Sequence, residues 1–365
     1  MPIAPSALFW AAAAVLVTAG LAAPAHAQEK KYKDHEKKEL QSVMLLLDQA
    51  MTAQVPIGAT VFTADTSKKG PEAAVKTAEQ PPVTWYADYM RAGDGLTYAP
   101  FMVAFGQGLL PTAEVAFGVR LVPKGTTAPA VPPKDQKDAR LYPWEDVGFG
   151  HVKPGPAGTE KLQKFARVFQ VPGGAYDVYV ALRPHTAEKV KDGPARAVVF
   201  RHAMDVPDLK DGLGTSSIMV LRAINEVQTA LSPDQAREEP WVMGSMEFVP
   251  SLDRKFAKAG NFAVFFQVYN PTIDNGKPDI TLDYKFHRRL ADGTEKYFNK
   301  TAPQVRNAST LPAEWNATAG HLVSGNVELP LASFEPGDYR LEITVTDNKL
   351  QKSITRDVLF TVTAS

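Results

Sequence analysis

Three carboxylates are the first candidates for chemistry. Asp205, Asp208 and Asp211 fall within one short run, Asp205-Val206-Pro207-Asp208-Leu209-Lys210-Asp211-Gly212. Calcium takes several oxygen ligands from a flexible loop, so this run is the candidate metal site. Its spacing is not that of an EF-hand, and a solvated hinge is the plainer reading. Asp274-Asn275-Gly276 reads as a turn. Sugar recognition needs exposed aromatics beside polar groups. Trp85, Trp144, Trp241 and Trp315 are the candidates, and Trp315 is the one expected to be exposed, because its surroundings are polar.

Other chemistries lack their residues. No Gly-x-Ser-x-Gly elbow exists, since Gly214-Thr215-Ser216-Ser217 has no second glycine. Gly148-x-Gly150 meets Lys153 where a third glycine would be needed, and no Gly-Lys-Thr phosphate loop occurs. There is no His-Glu-x-x-His. His35, His151, His185, His202, His287 and His321 are scattered singly and read as surface or strand residues. With no cysteine, disulfides, thiolate metal sites and cysteine nucleophiles are excluded. No cofactor is expected, and the chain reads as a non-enzyme.

The elements that would position these residues follow from patterning. Leu8 to Ala23 is an apolar run ending in Pro24-Ala25-His26-Ala27, an A-x-A site, so residues 1–27 read as a secretory signal peptide. An uncleaved anchor is the alternative. No second long apolar run follows, so no transmembrane helix is expected after cleavage. Export without cysteine suits a bacterial periplasm or exterior. Lys plus Arg is 40 and Asp plus Glu is 40, a balance that does not favour nucleic acid or an anionic membrane.

Asp34 to Gln54 carries Leu40, Val43, Met44, Leu47 and Met51 on one helical stripe. This predicts an amphipathic helix within residues 28–56. The stripe either docks on the protein itself or binds a partner through Leu40, Met44 and Leu47. Residues 57–82 read as a linker, with one weak strand at Ile57–Phe62.

From residue 83 the pattern is strands. Val115, Phe117, Val119 and Leu121 alternate with other residues, and so do Tyr339, Leu341, Ile343 and Val345. Period two with one buried face is an antiparallel sandwich strand. Residues 83–208 are expected to form a first sandwich, 209–240 a hinge and connection, and 241–365 a second. Phe262 to Tyr269 is apolar on both faces and should be central. Asp292-Gly293 predicts a hairpin turn. Tyr176 and Tyr339 each follow a glycine-containing turn at the start of a late strand. That is the place of a tyrosine corner, whose hydroxyl bonds backbone upstream. The predicted fold is all-β: two tandem immunoglobulin- or fibronectin-like sandwiches with an N-terminal helix. Lys124–Pro143 and Asn299–Ala319 read as long loops open to partners.

The stretches Phe262-Ala263-Val264-Phe265-Phe266-Gln267-Val268-Tyr269-Asn270, Pro336-Gly337-Asp338-Tyr339 with Val345-Thr346-Asp347, and Val206-Pro207-Asp208-Leu209 with Ser216-Ser217-Ile218 resemble exported bacterial proteins, acidobacterial ones especially. Some of these carry a domain called GWxTD; the Gly-Trp-x-Thr-Asp motif itself is absent here. The resemblance covers roughly residues 205–362. It implies an envelope or secreted protein with sandwich domains and no assigned chemistry. The expected function is therefore binding or scaffolding in the bacterial cell envelope, with an envelope protein or polysaccharide as partner. A carbohydrate-binding module is one alternative. A hydrolase with a site between the domains is another, and it would need a cleft of carboxylates or histidines with shifted pKa values.

Overall fold

The computed structural model describes residues 32–64, 74–76, 80–131, 141–155, 161–185 and 196–364. The expected leader, the loop at Thr66–Pro71 and the middle of Lys124–Pro143 lie outside them. The described chain is an all-β sandwich structure built in layers, with one long helix at its N-terminal end.

Helix α1 spans Asp34–Thr52. Glu36 accepts the Lys33 backbone N–H at 2.6 Å and, with Asp34, places negative charge on the first turn, where the helix dipole favours it. Gln54 closes the other end in the left-handed conformation, at φ +45°. Val43, Leu46, Leu47, Ala50 and Met51 are buried against Phe62, Ala116, Val122, Tyr179, Ala181, Ala197 and Val199 of a sheet. The buried stripe lies slightly to one side of the expected one, so Met44 remains 38% exposed. Gly118 permits the close approach: a Cβ there would stand 2.8 Å from both Leu47 and Val43. Arg120 crosses the same seam, bonding Asp48 at 2.5 Å and Glu145 at 2.6 Å.

That sheet runs in the order Ala74–Lys76, Gly58–Ala64, Arg196–Val206, Gly174–Pro184, Glu114–Pro123, Trp144–His151. Behind it lies a second sheet of Val83–Ala87, Thr97–Gly106, Leu162–Val171 and Lys153–Pro154. Phe101, Val103, Phe105, Val115, Phe117, Val119, Leu121 and Phe165 fill the space between them. The weak strand expected at Ile57–Phe62 within the linker is a full strand, Gly58–Ala64, paired with Arg201 to Arg196; Gly58 at φ +110° turns the chain into the sheet rather than interrupting it.

The second sandwich repeats the arrangement. Its inner sheet holds Val323–Pro330, Asn261–Tyr269, then Gly214–Thr215 with Met219–Glu226, then Met246–Pro250 and Val242–Met243. Asn261–Tyr269 is central, as its double-sided apolarity predicts. Its outer sheet holds Lys255–Ala257, Lys352–Thr363, Gly337–Asp347, Ile280–Arg289 and then Glu295–Lys300 with Gln304–Arg306. The chain closes its hairpin at Gly293, φ +83°, with Asp292 accepting the Thr294 backbone N–H at 2.9 Å. Both tyrosine corners are formed: Tyr176 donates to Pro172 O at 3.0 Å and Tyr339 to Glu335 O at 2.8 Å.

The two inner sheets pack against each other. Met90, Met102, Ala166, Tyr86 and Tyr98 from the first meet Met219, Leu221, Trp241, Phe248, Ala263 and Phe265 from the second. The result is five layers: helix and four sheets. Residues 209–240, expected as a hinge and connecting segment, carry regular structure over half of their length. They include the two inner-sheet strands and helix α2, Pro233–Glu238, capped by Ser232. Apolar surface on an inner sheet has to be covered, and covering it removes the freedom a hinge would need. No helix among the described residues is long and apolar enough to cross a membrane.

Candidate functional site

Beside the junction of the two sandwiches lies a cleft of about 620 Å³. One wall is the edge strand Val83–Ala87 with Asp88, which contributes Trp85, Tyr86 and Asp88. The floor is the connecting segment from Pro207 to Ile218. The far wall is Arg254, Tyr269 and Arg356 to Val358 of the second sandwich.

The floor is held from both sides. Arg91 donates to Leu209 O at 3.0 and 2.6 Å, and Thr97 donates to Pro207 O at 2.7 Å. Asn270 donates to Lys210 O and Gly212 O. Tyr89 and Ser217 exchange two bonds, backbone N–H to Oγ at 2.9 Å and N–H to O at 2.8 Å. Ser216 Oγ accepts from Gln267 N–H and donates to Ser217 O. Both serine hydroxyls are thus engaged with backbone.

Asp88 is the unusual group. It is 3% exposed and accepts the Trp241 indole N–H at 2.8 Å, a bond across the domain junction. Burial pushes its carboxyl up to about 6, against the pull of the Trp241 and Tyr86 hydrogen bonds and the Arg254 charge. Tyr86, half-buried beside that carboxylate, is driven well above the usual phenol range by the loss of water around its hydroxyl and by the Asp88 charge. Trp85 stacks on Phe101 at 4.9 Å and on His202 at 4.6 Å. Burial lowers His202.

An interdomain hydrolase would need carboxylates or histidines of shifted pKa in this cleft, and the lining brings one such carboxyl, Asp88; the hydroxyls of Ser216 and Ser217 are committed to backbone bonds.

Of the residues singled out from sequence, Asp208 and Asp211 line this cleft and Asp205 does not. Asp205 is exposed on the strand opposite Ala175, and Asp208 accepts the Lys210 N–H at 3.0 Å. Among the described residues no three His, Cys, Asp or Glu side chains gather as a metal site. Trp315 is 5% exposed, not open as expected. The loop around it folds over the second core, its indole donates to Leu322 O, and Lys277 ties down the carbonyls of Pro312, Ala313 and Trp315. Leu47 is buried under α1, Leu40 packs beside it and Met44 faces outward.

Sequence reasoning missed Asp88, Arg254 and Arg356. A signal for the first was present: Asp88 is a lone charge inside the aromatic run Trp85-Tyr86-Ala87-Asp88-Tyr89. No protein-family model matches the chain, and neither does any curated protein. The functional reading therefore rests on the cleft itself.

Proposed function

We propose that this chain is a non-catalytic, exported binding or scaffolding protein of the bacterial cell envelope, and that the interdomain cleft is its binding site. The observation that carries the reading is the cleft's construction. Two sandwiches are fused through a continuous apolar seam, and their junction holds a ligand-sized hollow with arginine and aromatic side chains on its walls. The strand order of the two sandwiches supports an immunoglobulin-like ancestry. In the first, Thr97–Gly106 and Leu162–Val171 share the inner sheet and flank the outer-sheet pair Glu114–Pro123 and Trp144–His151; in the second, Asn261–Tyr269 and Val323–Pro330 flank Ile280–Arg289 and Glu295–Lys300 in the same way, and both tyrosine-corner strands lie in the outer sheets. The test is retention from envelope extract by the purified protein and by an Arg254→Glu, Arg356→Glu variant. Both residues are exposed, so the fold is expected to survive the change. A protein partner lost in the variant supports the reading. A partner kept in full moves the interface elsewhere, and retained polysaccharide in place of protein makes the chain a carbohydrate-binding module.

A further inference from the structure

The far wall of the cleft is an unfinished sheet edge. Lys352–Thr363 pairs with Gly337–Asp347 along one side from Lys352 to Val362. On its other side the ladder is with Lys255–Ala257 and covers Thr361 to Thr363. There Thr361 N–H donates to Arg254 O at 2.9 Å, and Thr363 O accepts Lys258 N–H at 2.9 Å. Odd-numbered residues of this strand therefore turn their peptide groups away from Gly337–Asp347. The alternation of an antiparallel strand carries that direction back through Leu359, Asp357 and Thr355. Thr355 O takes the Arg356 guanidinium at 3.0 Å. The outward peptide groups of Asp357 and Leu359 have no bonded partner among the described residues.

The edge is vacant because the chain leaves it. Arg254 sits at φ +52°, a costly conformation for a residue with a side chain, and bends the approaching segment off the ladder just before Lys255. Across the hollow, Val83–Ala87 pairs with Thr97–Gly106 on one side and turns its other edge to the cleft. An unpaired edge is a template for a further strand, whose backbone bonds give affinity.

Charge narrows the occupant. The carboxylates of the lining have partners: Asp357 bonds Arg340 at 2.5 Å, Asp208 lies 4.0 Å from Lys210, Asp88 holds the Trp241 indole and Asp211 acts on Arg91. Neither Arg254 nor Arg356 lies within ion-pair distance of a carboxylate among the described residues, although the Arg254 charge acts on Asp88; the Arg356 guanidinium bonds only Thr215 Oγ1 and Thr355 O. We infer that the cleft takes an extended, carboxylate-bearing polypeptide segment, which adds as a strand along Thr355–Leu359 and sets its acidic side chains against Arg254 and Arg356. The free edge is ~13 Å long at a strand's rise, room for a segment of about five residues. This inference rests on the cleft being the binding site and names what fills it.

The probe is a phage-displayed library of random linear dodecapeptides panned on the purified protein, with enriched sequences resynthesised for fluorescence anisotropy. Acidic peptides are expected. Leu359→Pro removes an outward N–H while leaving the inner ladder's donors in place. It should weaken binding at least about tenfold, the worth of one or two hydrogen bonds, and so should Arg254→Ala with Arg356→Ala. Amide exchange on the wild-type protein gives a readout independent of any variant's folding: the Asp357 and Leu359 amides should slow when peptide saturates the cleft. No enrichment of acidic peptides, or exchange at 355–359 left unchanged by an enriched one, overturns the strand addition. A peptide that protects Trp85 to Ala87 but not 355–359 overturns it and leaves the cleft as the binding site. One that protects neither overturns both.

Discussion

Asp88→Asn tests the physics of the domain junction. In the folded chain burial lifts the Asp88 carboxyl from an ordinary 3.8 to about 6. Unfolded, it returns to the ordinary value, so between pH ~4 and ~6 the folded state holds a proton that the unfolded state has lost. Its contribution is therefore fully present below pH ~4 and is lost as pH rises through ~6. Two pH units at 1.36 kcal/mol each set the loss at about 3 kcal/mol. Asparagine keeps an oxygen for the Trp241 indole, 2.8 Å away in the wild type, but carries no titration. Urea unfolding of both proteins at pH 4, 5, 6 and 7 isolates this group, because every other titration is common to the two. The variant's stability relative to wild type should rise by about 2 kcal/mol from pH 4 to pH 7, since part of the full change lies below pH 4. A difference that stays flat across that range would refute the argument, and with it the claim that Asp88 is held in a desolvated site.

Other substitutions test the remaining seams. Glu238 is the opposite titration: burial works to raise it, but the Arg167 charge and the His151 bond hold it below the usual carboxylate range. Its contribution is present at neutral pH and lost as pH falls through its lowered folded value. Glu238→Gln strips the nearly buried Arg167, 3.4 Å away, of its ion pair and should cost about 3 kcal/mol at pH 7 by urea unfolding. Gly118→Ala forces a methyl against Val43 and Leu47, so a loss of 1–3 kcal/mol (roughly) and faster amide exchange in α1 are expected. Tyr339→Phe removes the bond to Glu335 O and should cost about 1 kcal/mol, visible as a lower urea midpoint with an unchanged slope.

Much of this fold is written in local patterns. Tyr339, Leu341, Ile343 and Val345 alternate in the sequence and all four are buried on one side in the structure. The turn residues before Tyr176 and Tyr339 mark two corners that both form. Periodicity reports which face of an element is apolar, however, and not what covers it. The stripe of α1 fitted either a partner or the first sandwich. Gly118, whose missing side chain lets the helix settle, lies far away in sequence and gives no sign of its purpose.

The domain junction shows the same limit from the other direction. Asp205 to Gly214 has the composition of a flexible hinge, with proline, glycine and four acidic or basic side chains. It is nevertheless pinned by Arg91, Thr97 and Asn270 from both sandwiches. The readable clue was elsewhere, in Phe262–Tyr269, where Phe262, Val264 and Phe266 serve the second core while Ala263 and Phe265 serve the seam. A strand apolar on both faces of a two-sheet sandwich has one face too many for its own domain. That surplus calls for a third layer, and the outward Met102 of Thr97–Gly106 supplies the matching surface from the first sandwich. Once the inner sheets are locked together, the cleft beside them becomes a fixed shape rather than a gap that opens and closes. Its walls come from residues more than 250 positions apart, Trp85 and Arg356 among them, so its composition follows from the packing of the sheets and from no single stretch of the chain.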